Sequence, residues 1–173
     1  MVNTRGEGQA APGQLESVRT LLNSWLIPND TRVPEDRFGA YADELGVSAA
    51  KRDELRRLRD DLRRVVDGSV VADDVFNRWI DRLEIRPWVT SGAAGFRHAG
   101  GVCGEVLVTC LAAVSSGEWS RLKACPDCQW VFYDHSRNGS KRWCLMTAGG
   151  PDGRSCGSIA KVRAYRARAR ETA

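Results

Sequence analysis

Leu15, Val18, Leu22 and Trp25 recur at helical spacing behind a Gly/Ala/Pro-rich opening that ends at Gly13, and Pro28-Asn29-Asp30 stops the pattern. A first helix is therefore predicted, with Trp25 on its apolar face. A second begins near Pro34, turns Phe38, Tyr41 and Leu45 inward, and ends at Gly46. Ser48 is the N-cap expected for a third, whose stripe is Leu55, Leu58, Leu62 and Val65, with charge on its other face and Gly68 at its end. Asp73 or Asp74 introduces a fourth apolar set, Phe76, Trp79, Ile80 and Leu83, before Pro87 breaks the period. Residues 86–98, RPWVTSGAAGFRH, put β-formers either side of a Gly/Ala turn and predict a short hairpin, the only clear β signal before the last third of the chain. Residues 102–116 are nearly all apolar and read as the central core helix, with Cys103 and Cys110 on one face; Gly117 is read as a bend before Trp119 and Leu122. Lys123-Ala124 is the one expected linker.

The last third changes the picture. Four cysteines are spaced Cys125-x2-Cys128, then fifteen residues to Cys144, then eleven to Cys156. A two-residue gap lets one tight knuckle present two sulfurs to one ion, and structural zinc takes a closed tetrahedron of thiolates, so one structural Zn2+ on these four is expected. Two disulfides or four ordinary buried thiols are the competing reading. The excursion between Cys144 and Cys156, LMTAGGPDGRS (residues 145–155), is turn chemistry that can bulge while the two cysteines converge. Lengthening that gap from four to eleven residues costs about 0.9 kcal/mol of closure entropy. A structural zinc supplies on the order of 10–16 kcal/mol. His135 is a candidate substitute ligand.

Between the knuckles, Trp130, Phe132 and Tyr133 form an apolar strand, followed by a polar basic loop with Arg137, Asn138, Lys141 and Arg142, before Trp143 returns to the core. After Cys156, Gly157-Ser158 reads as a turn with an N-cap, and residues 159–171 as a helix. Its stripe, Val162, Tyr165 and Ala169, is expected to dock on the module, flanked by Arg163, Arg166 and Arg170 on one side and Lys161 with Arg168 on the other. The expected architecture is α+β: a mostly helical body with a short β-hairpin, plus a small C-terminal four-cysteine zinc module ending in a basic helix. The division falls at 1–122 and 123–173.

Charge follows that division. From Trp119 onward there are eleven Lys/Arg against four Asp/Glu, so this part carries +7 and the remainder −3 within a net +4. Four thiolates on one divalent ion still leave the tail near +5. Hydrophobic residues at 42% and charged ones at 28% exclude a disordered class. The longest apolar run, residues 106–114, is far short of the ~18–20 residues that cross a bilayer. No secretory signal is read at the start, so a cytoplasmic setting, with metal favoured over disulfides, is expected.

The run SRNGSKRWC, preceded by CPDCQWVFYD and followed by CGS and AKVRAYRAR, resembles the bacterial CGNR zinc finger family. Proteins of that family carry an N-terminal domain called ABATE, described as a stress-induced transcription regulator, whose beginning reads like VNTRG at Val2 to Gly6 here. The resemblance is strong over residues 125–168 and loose over the helical body. It implies that Cys125, Cys128, Cys144 and Cys156 are the metal ligands and that the finger with its terminal helix binds DNA. It departs at the long second knuckle, and the signature tetrad stands here as Cys156-Gly157-Ser158-Ile159, which keeps an N-capping side chain and removes a cation.

The function so implied is a zinc-dependent DNA-binding transcription regulator. Arg137, Asn138, Lys141, Arg142, Lys161, Arg163 and Arg166 are the expected nucleic-acid contacts. The alternative is a zinc-stabilised protein- or RNA-interaction module, with Trp130 or Tyr133 as a stacking platform. The body is expected to sense a small-molecule effector or protein partner, through a pocket lined by Trp79, Trp88, Phe96 and His98. Catalysis is not expected: four cysteines close the metal, and no paired Cys-His signature or nucleotide-binding glycine motif is present. Sequence leaves the oligomeric state open.

Overall fold

The structure is a computed structural model that describes residues 8–28, 31–145 and 155–171. The VNTRG segment, Asn29, Asp30 and residues 146–154 lie outside the described residues, as do the side chains of Arg163, Ala164, Ala167 and Glu171. Helix α1 (Leu15–Leu22) buries Leu15, Val18, Leu21 and Leu22. It ends before Trp25, which lies instead in a two-residue strand, β1 (Trp25–Leu26), paired antiparallel with β2 (Glu35–Asp36). The cause is Asn23. Its amide nitrogen donates to the Val131 carbonyl and its oxygen accepts from the Val131 N–H, both at 2.8 Å, so the chain leaves the helix to grip a later strand.

Helix α2 (Phe38–Glu44) starts after Asp36, whose carboxylate accepts from the Phe38 N–H, rather than near Pro34. Phe38 is buried as expected, but Leu45, at the helix C-cap, is exposed. Helix α3 (Ala49–Val66) buries Leu55, Leu58 and Leu62 completely and carries on the same face an arginine, Arg59, that is only 1% exposed. Its guanidinium donates to both Asp36 oxygens at 2.7 and 3.1 Å, to Asp60 at 2.9 Å and to Ser24 Oγ at 3.1 Å, and sits over the Phe38 ring. A buried charge persists here because it is paired and hydrogen-bonded. Asp36 in turn is held below the usual carboxylate range by the hydrogen bond from Arg59.

Helix α4 (Ala72–Arg82) buries Val75, Phe76 and Trp79, with Asp73 and Asp74 in its first turn, where carboxylates complement the helix dipole. The expected hairpin is present as β3 (Arg86–Thr90) and β4 (Ala93–Arg97). Its turn is Ser91-Gly92, both at positive φ (49° and 78°), the two-residue geometry that matches strand twist; Ala93 and Gly95 belong to the strand. Helix α5 (Val102–Ser116) is the core helix, burying Cys103, Val106, Leu107, Cys110 and Leu111 and packing on α1, α3 and β4. Gly117, at φ 79°, ends α5 rather than bending it. A 3-10 turn, Glu118–Arg121, leads directly into β5 (Leu122–Ala124), which pairs antiparallel with β6 (Val131–Tyr133). Lys123-Ala124 is therefore a strand and not a linker.

Strand β6 joins two cores. Val131 and Tyr133 pack into the core of the helical body, while Phe132 packs with Cys125, Cys128, Cys144 and Cys156. Alternate residues of a strand face opposite sides, so three residues serve both. The last element is α6 (Cys156–Glu171). Its expected apolar stripe is not docked: Val162 is 48% and Tyr165 69% exposed. The fold is thus the expected α+β class, mostly helical with short antiparallel hairpins and a four-cysteine cluster near the C-terminus. Among the described residues no helix is long and apolar enough to cross a membrane.

Replacing Arg59 with alanine leaves Asp36 and Ser24 without their buried partner. The fully buried case costs about 3–5 kcal/mol, and the partial exposure of Asp36 reduces the expected loss to about 2–3 kcal/mol. Thermal unfolding of the zinc-loaded protein should show Tm lowered by roughly 5–10 °C.

Candidate metal centre

The first knuckle forms at the end of the β5–β6 hairpin. The Cys125 N–H donates to the Trp130 carbonyl at 2.9 Å and the Gln129 N–H to the Cys125 carbonyl at 2.8 Å, with Gln129 in the left-handed region at φ 57°. This turn brings the sulfurs of Cys125 and Cys128 to one side. The second knuckle closes across the insertion by a 3.0 Å bond from the Gly157 N–H to the Leu145 carbonyl, so the ends of that segment converge as the turn chemistry predicted. Helix α6 starts at Cys156 itself. Ser155 and Ser158 cap it reciprocally, the Ser158 N–H donating to Ser155 Oγ at 3.2 Å and the Ser155 N–H to Ser158 Oγ at 3.3 Å. Ser158 thus stands at the third helical position of a capping box, and the N-cap is Ser155.

All four cysteines are fully buried, and their sulfurs lie within 4.8 Å of one another. Cys128 Sγ is 3.5 Å from Cys144 Sγ, which is 3.6 Å from Cys156 Sγ. A zinc tetrahedron with Zn–S bonds of about 2.3 Å has edges of about 3.8 Å, so the donor set fits one ion in both chemistry and size. The cysteines are free thiols rather than disulfides. Crowded in this way they cannot all ionise alone. Hydrogen bonds from Cys128, Cys144 and Cys156 push Cys125 toward thiolate, while contacts with Cys125 and Cys128 push Cys144 and Cys156 upward. A divalent cation removes the conflict by stabilising all four thiolates together. His135 is not part of the cluster: its Nε2–H donates to the Ala10 carbonyl at 2.7 Å, and its ring lies on Tyr133.

Residues far away in sequence brace the site. Gln9, 3% exposed in the Gly/Ala/Pro-rich opening, donates from Nε2 to the Cys144 carbonyl at 2.7 Å and accepts from Trp130 Nε1 at 3.1 Å. Its carbonyl also accepts from the Tyr133 N–H. Ile27 donates to the Cys128 carbonyl, Arg63 to the Gln129 carbonyl, and Arg32 pairs with Asp127. Nothing in the local sequence around Gln9 signals these bonds, since its partners lie more than a hundred residues on.

The basic loop is built on a second buried group that the sequence pattern did not single out. Asp134 is 0% exposed and accepts from Lys123 Nζ (2.8 Å), the Ser136 N–H and hydroxyl (2.9 and 2.6 Å) and the Lys141 N–H (2.8 Å). Burial alone would raise its pKa. The Lys123 ammonium and these donors outweigh burial and hold the carboxyl well below the usual range. Lys123 also bonds the carbonyls of Gly139 and Lys141, and Arg121 those of Asp134 and Ser136. The loop is thereby fixed from beneath, with Arg137, Asn138 and Arg142 exposed above. Lys141 is half-buried, its ammonium 5.3 Å from the Phe132 ring centroid. Lys161 and Arg166 are exposed on α6, and the Arg163 side chain lies outside the described residues.

The four residues expected to line an aromatic pocket differ in burial and in partners. Trp79 is buried, with its indole N–H on Asp61 at 2.9 Å, whereas Trp88 is 48% exposed on the hairpin beneath the Arg97 guanidinium. Phe96 packs at the edge of the core, and His98 accepts from the Gly100 N–H and abuts Gly104.

The centre is that of a small zinc-binding module with four cysteine ligands. In agreement with this, a family model described as the CGNR zinc finger matches residues 121–169, the span that holds the β5–β6 hairpin, all four cysteines and most of α6. Comparison with curated proteins finds no match.

Cys144→Ser should bring zinc, measured by metal analysis of the purified chain, from about one per chain to well below it. Gln9→Ala should leave the stoichiometry intact but raise the zinc dissociation constant about tenfold, the lower range for groups that orient metal ligands. Competition with a chromogenic chelator reads that change.

Proposed function

We propose that the chain is a zinc-dependent DNA-binding transcription regulator in which the loop at 136–142 and helix α6 meet the phosphate backbone. The observation that carries this reading is the loop braced by Asp134. A buried ion pair and a set of backbone bonds hold the loop with Arg137, Asn138 and Arg142 exposed, and helix α6 adds exposed Lys161, Arg166, Arg168 and Arg170. Preorganised arginines lose less entropy on meeting a phosphate and suit bidentate contacts. Arg121 and Lys123 are used internally, so the contact set is smaller than the +7 of the tail. By the same likeness to the CGNR family the helical body is read as an ABATE-like regulatory domain. Four thiolates fill a tetrahedral ion's positions, which supports a structural rather than catalytic metal.

A second reading, a protein- or RNA-interaction module, draws on the open stripe of α6, where Tyr165 is 69% exposed among cations. Trp130 and Tyr133 do not support it: Trp130 is bonded to Gln9, and Tyr133 is buried.

Polarisation titrations with random-sequence duplex DNA should show affinity falling steeply with salt. Contacts by about six cations give a slope near −5 in log K against log salt, and Lys161→Ala should lessen it by about one. Absence of binding at low salt would refute the DNA reading, and preference for single-stranded RNA would favour the second. Asp134→Asn should keep zinc yet weaken DNA binding roughly tenfold. In acid the sign is set by the depressed pKa. The stabilisation from Asp134 is complete above the ordinary carboxylate range near pH 4 and is lost as pH falls toward its lowered value, so the difference in stability between the wild type and Asp134→Asn should shrink below pH 4.

A further inference from the structure

Where α3, β1 and the first knuckle meet, the surface opens into a cleft of about 370 Å³ lined by Trp25, Asp60, Arg63, Arg64, Asp67 and Gln129. None of these is a metal ligand or belongs to the surface assigned above to nucleic acid. Arg63 is central to it. The guanidinium lies 4.5 Å from the Trp25 ring centroid and donates to three carbonyls, those of Leu22 (2.5 Å), Trp25 (3.0 Å) and Gln129 (3.0 Å). Unlike Arg19, Arg59, Arg78 and Arg82, it has no carboxylate within ion-pair distance among the described residues.

The two acids on the wall make their short contacts elsewhere, Asp60 with Arg59 at 2.8 Å and Asp67 with the N–H and hydroxyl of Ser69, and act on Arg63 only at longer range. Burial, with Arg59 nearby, holds the Arg63 pKa down to about 10, an effect that Asp67, Asp60 and Asp36 offset only in part. Arg64 adds a second cation at the rim, exposed and 3.8 Å from Asp61.

We infer that this cleft is a binding site for a small flat anion, an aromatic or heteroaromatic carboxylate, with its ring against Trp25 and its carboxylate toward Arg63 and Arg64. Guanidinium groups take carboxylates in bidentate fashion, and planar rings stack on tryptophan and arginine alike. The volume is at the low end of small-molecule sites, about 300–1,000 Å³, so the ligand is small. The same Arg63 guanidinium holds the Gln129 carbonyl of the knuckle, so occupancy of the cleft acts on a bond that docks the zinc module to the body. This gives the sensing role a different site from the aromatic one expected from sequence, and it stands whether or not the module binds DNA.

The test is a titration of the full zinc-loaded chain with benzoate, followed by two-dimensional NMR of the Trp25 indole and Gln129 amide, with benzamide and inorganic phosphate as comparators. Saturable shifts at both groups are expected, with benzamide at least about tenfold weaker and phosphate weaker than benzoate. Gln129→Glu, checked for zinc content, places a competing carboxylate on the cleft wall and should weaken benzoate at least about fivefold. Gln129→Gly accepts the left-handed backbone and should retain binding. The inference is overturned by absence of saturation at tens of millimolar benzoate, by equal binding of benzamide or phosphate, or by an unchanged benzoate affinity in Gln129→Glu.

Discussion

Four thiolates that must share one ion impose the constraint on which the rest of the structure depends. Their sulfurs have to stay within a few ångströms of one another although they come from two segments separated by fifteen residues, with a third stretch of eleven inside the second knuckle. Like charges at that spacing repel without a cation and hold a tetrahedron with one. Holding the backbone ready falls to the helical body. Gln9 ties Cys144 to Trp130 and Tyr133, Asn23 grips both polar groups of Val131, and Ile27 and Arg63 take the carbonyls of Cys128 and Gln129. The knuckles are therefore seated on the body by backbone groups, and β6 alternates its side chains between the body's core and the metal cluster.

The same economy governs charge. A basic tail reads from sequence as one patch, yet its cations divide by role. Lys123 and Arg121 turn inward, one to neutralise Asp134 and both to collect loop carbonyls, while Lys141 covers Phe132. Arg137 and Arg142 are left exposed on a loop whose conformation is already set. In the body, Arg59 and Arg63 show the two ways of burying a guanidinium. Arg59 is matched by carboxylates and helps to hold β2 against α3, whereas the short contacts of Arg63 are three carbonyls and an aromatic face.

Periodicity made the helices legible where burial follows a stripe: Leu55, Leu58 and Leu62 in α3, Phe76 and Trp79 in α4, and the continuous apolar run of α5. It failed where a polar group with a distant partner overrode it. Trp25 continues the spacing of α1 but belongs to a strand, because Asn23 is drawn to Val131. Val162 and Tyr165 form a stripe on α6 that no described core covers, since amphipathic spacing says which residues share a face and not whether anything packs there.

By itself the sequence determined the α+β class, the hairpin at 86–97, and the four metal ligands with their turn-rich second knuckle, because these depend on local spacing and on the chemistry of sulfur and glycine. The tertiary structure decided the roles of Gln9, Asp134 and Ser155, buried Trp79 while leaving Trp88 half exposed, and placed an open cleft beside Arg63. The reason is common to all of them. A polar side chain gains or loses its meaning through the burial and partners brought to it, and for Gln9 those partners lie more than a hundred residues along the chain.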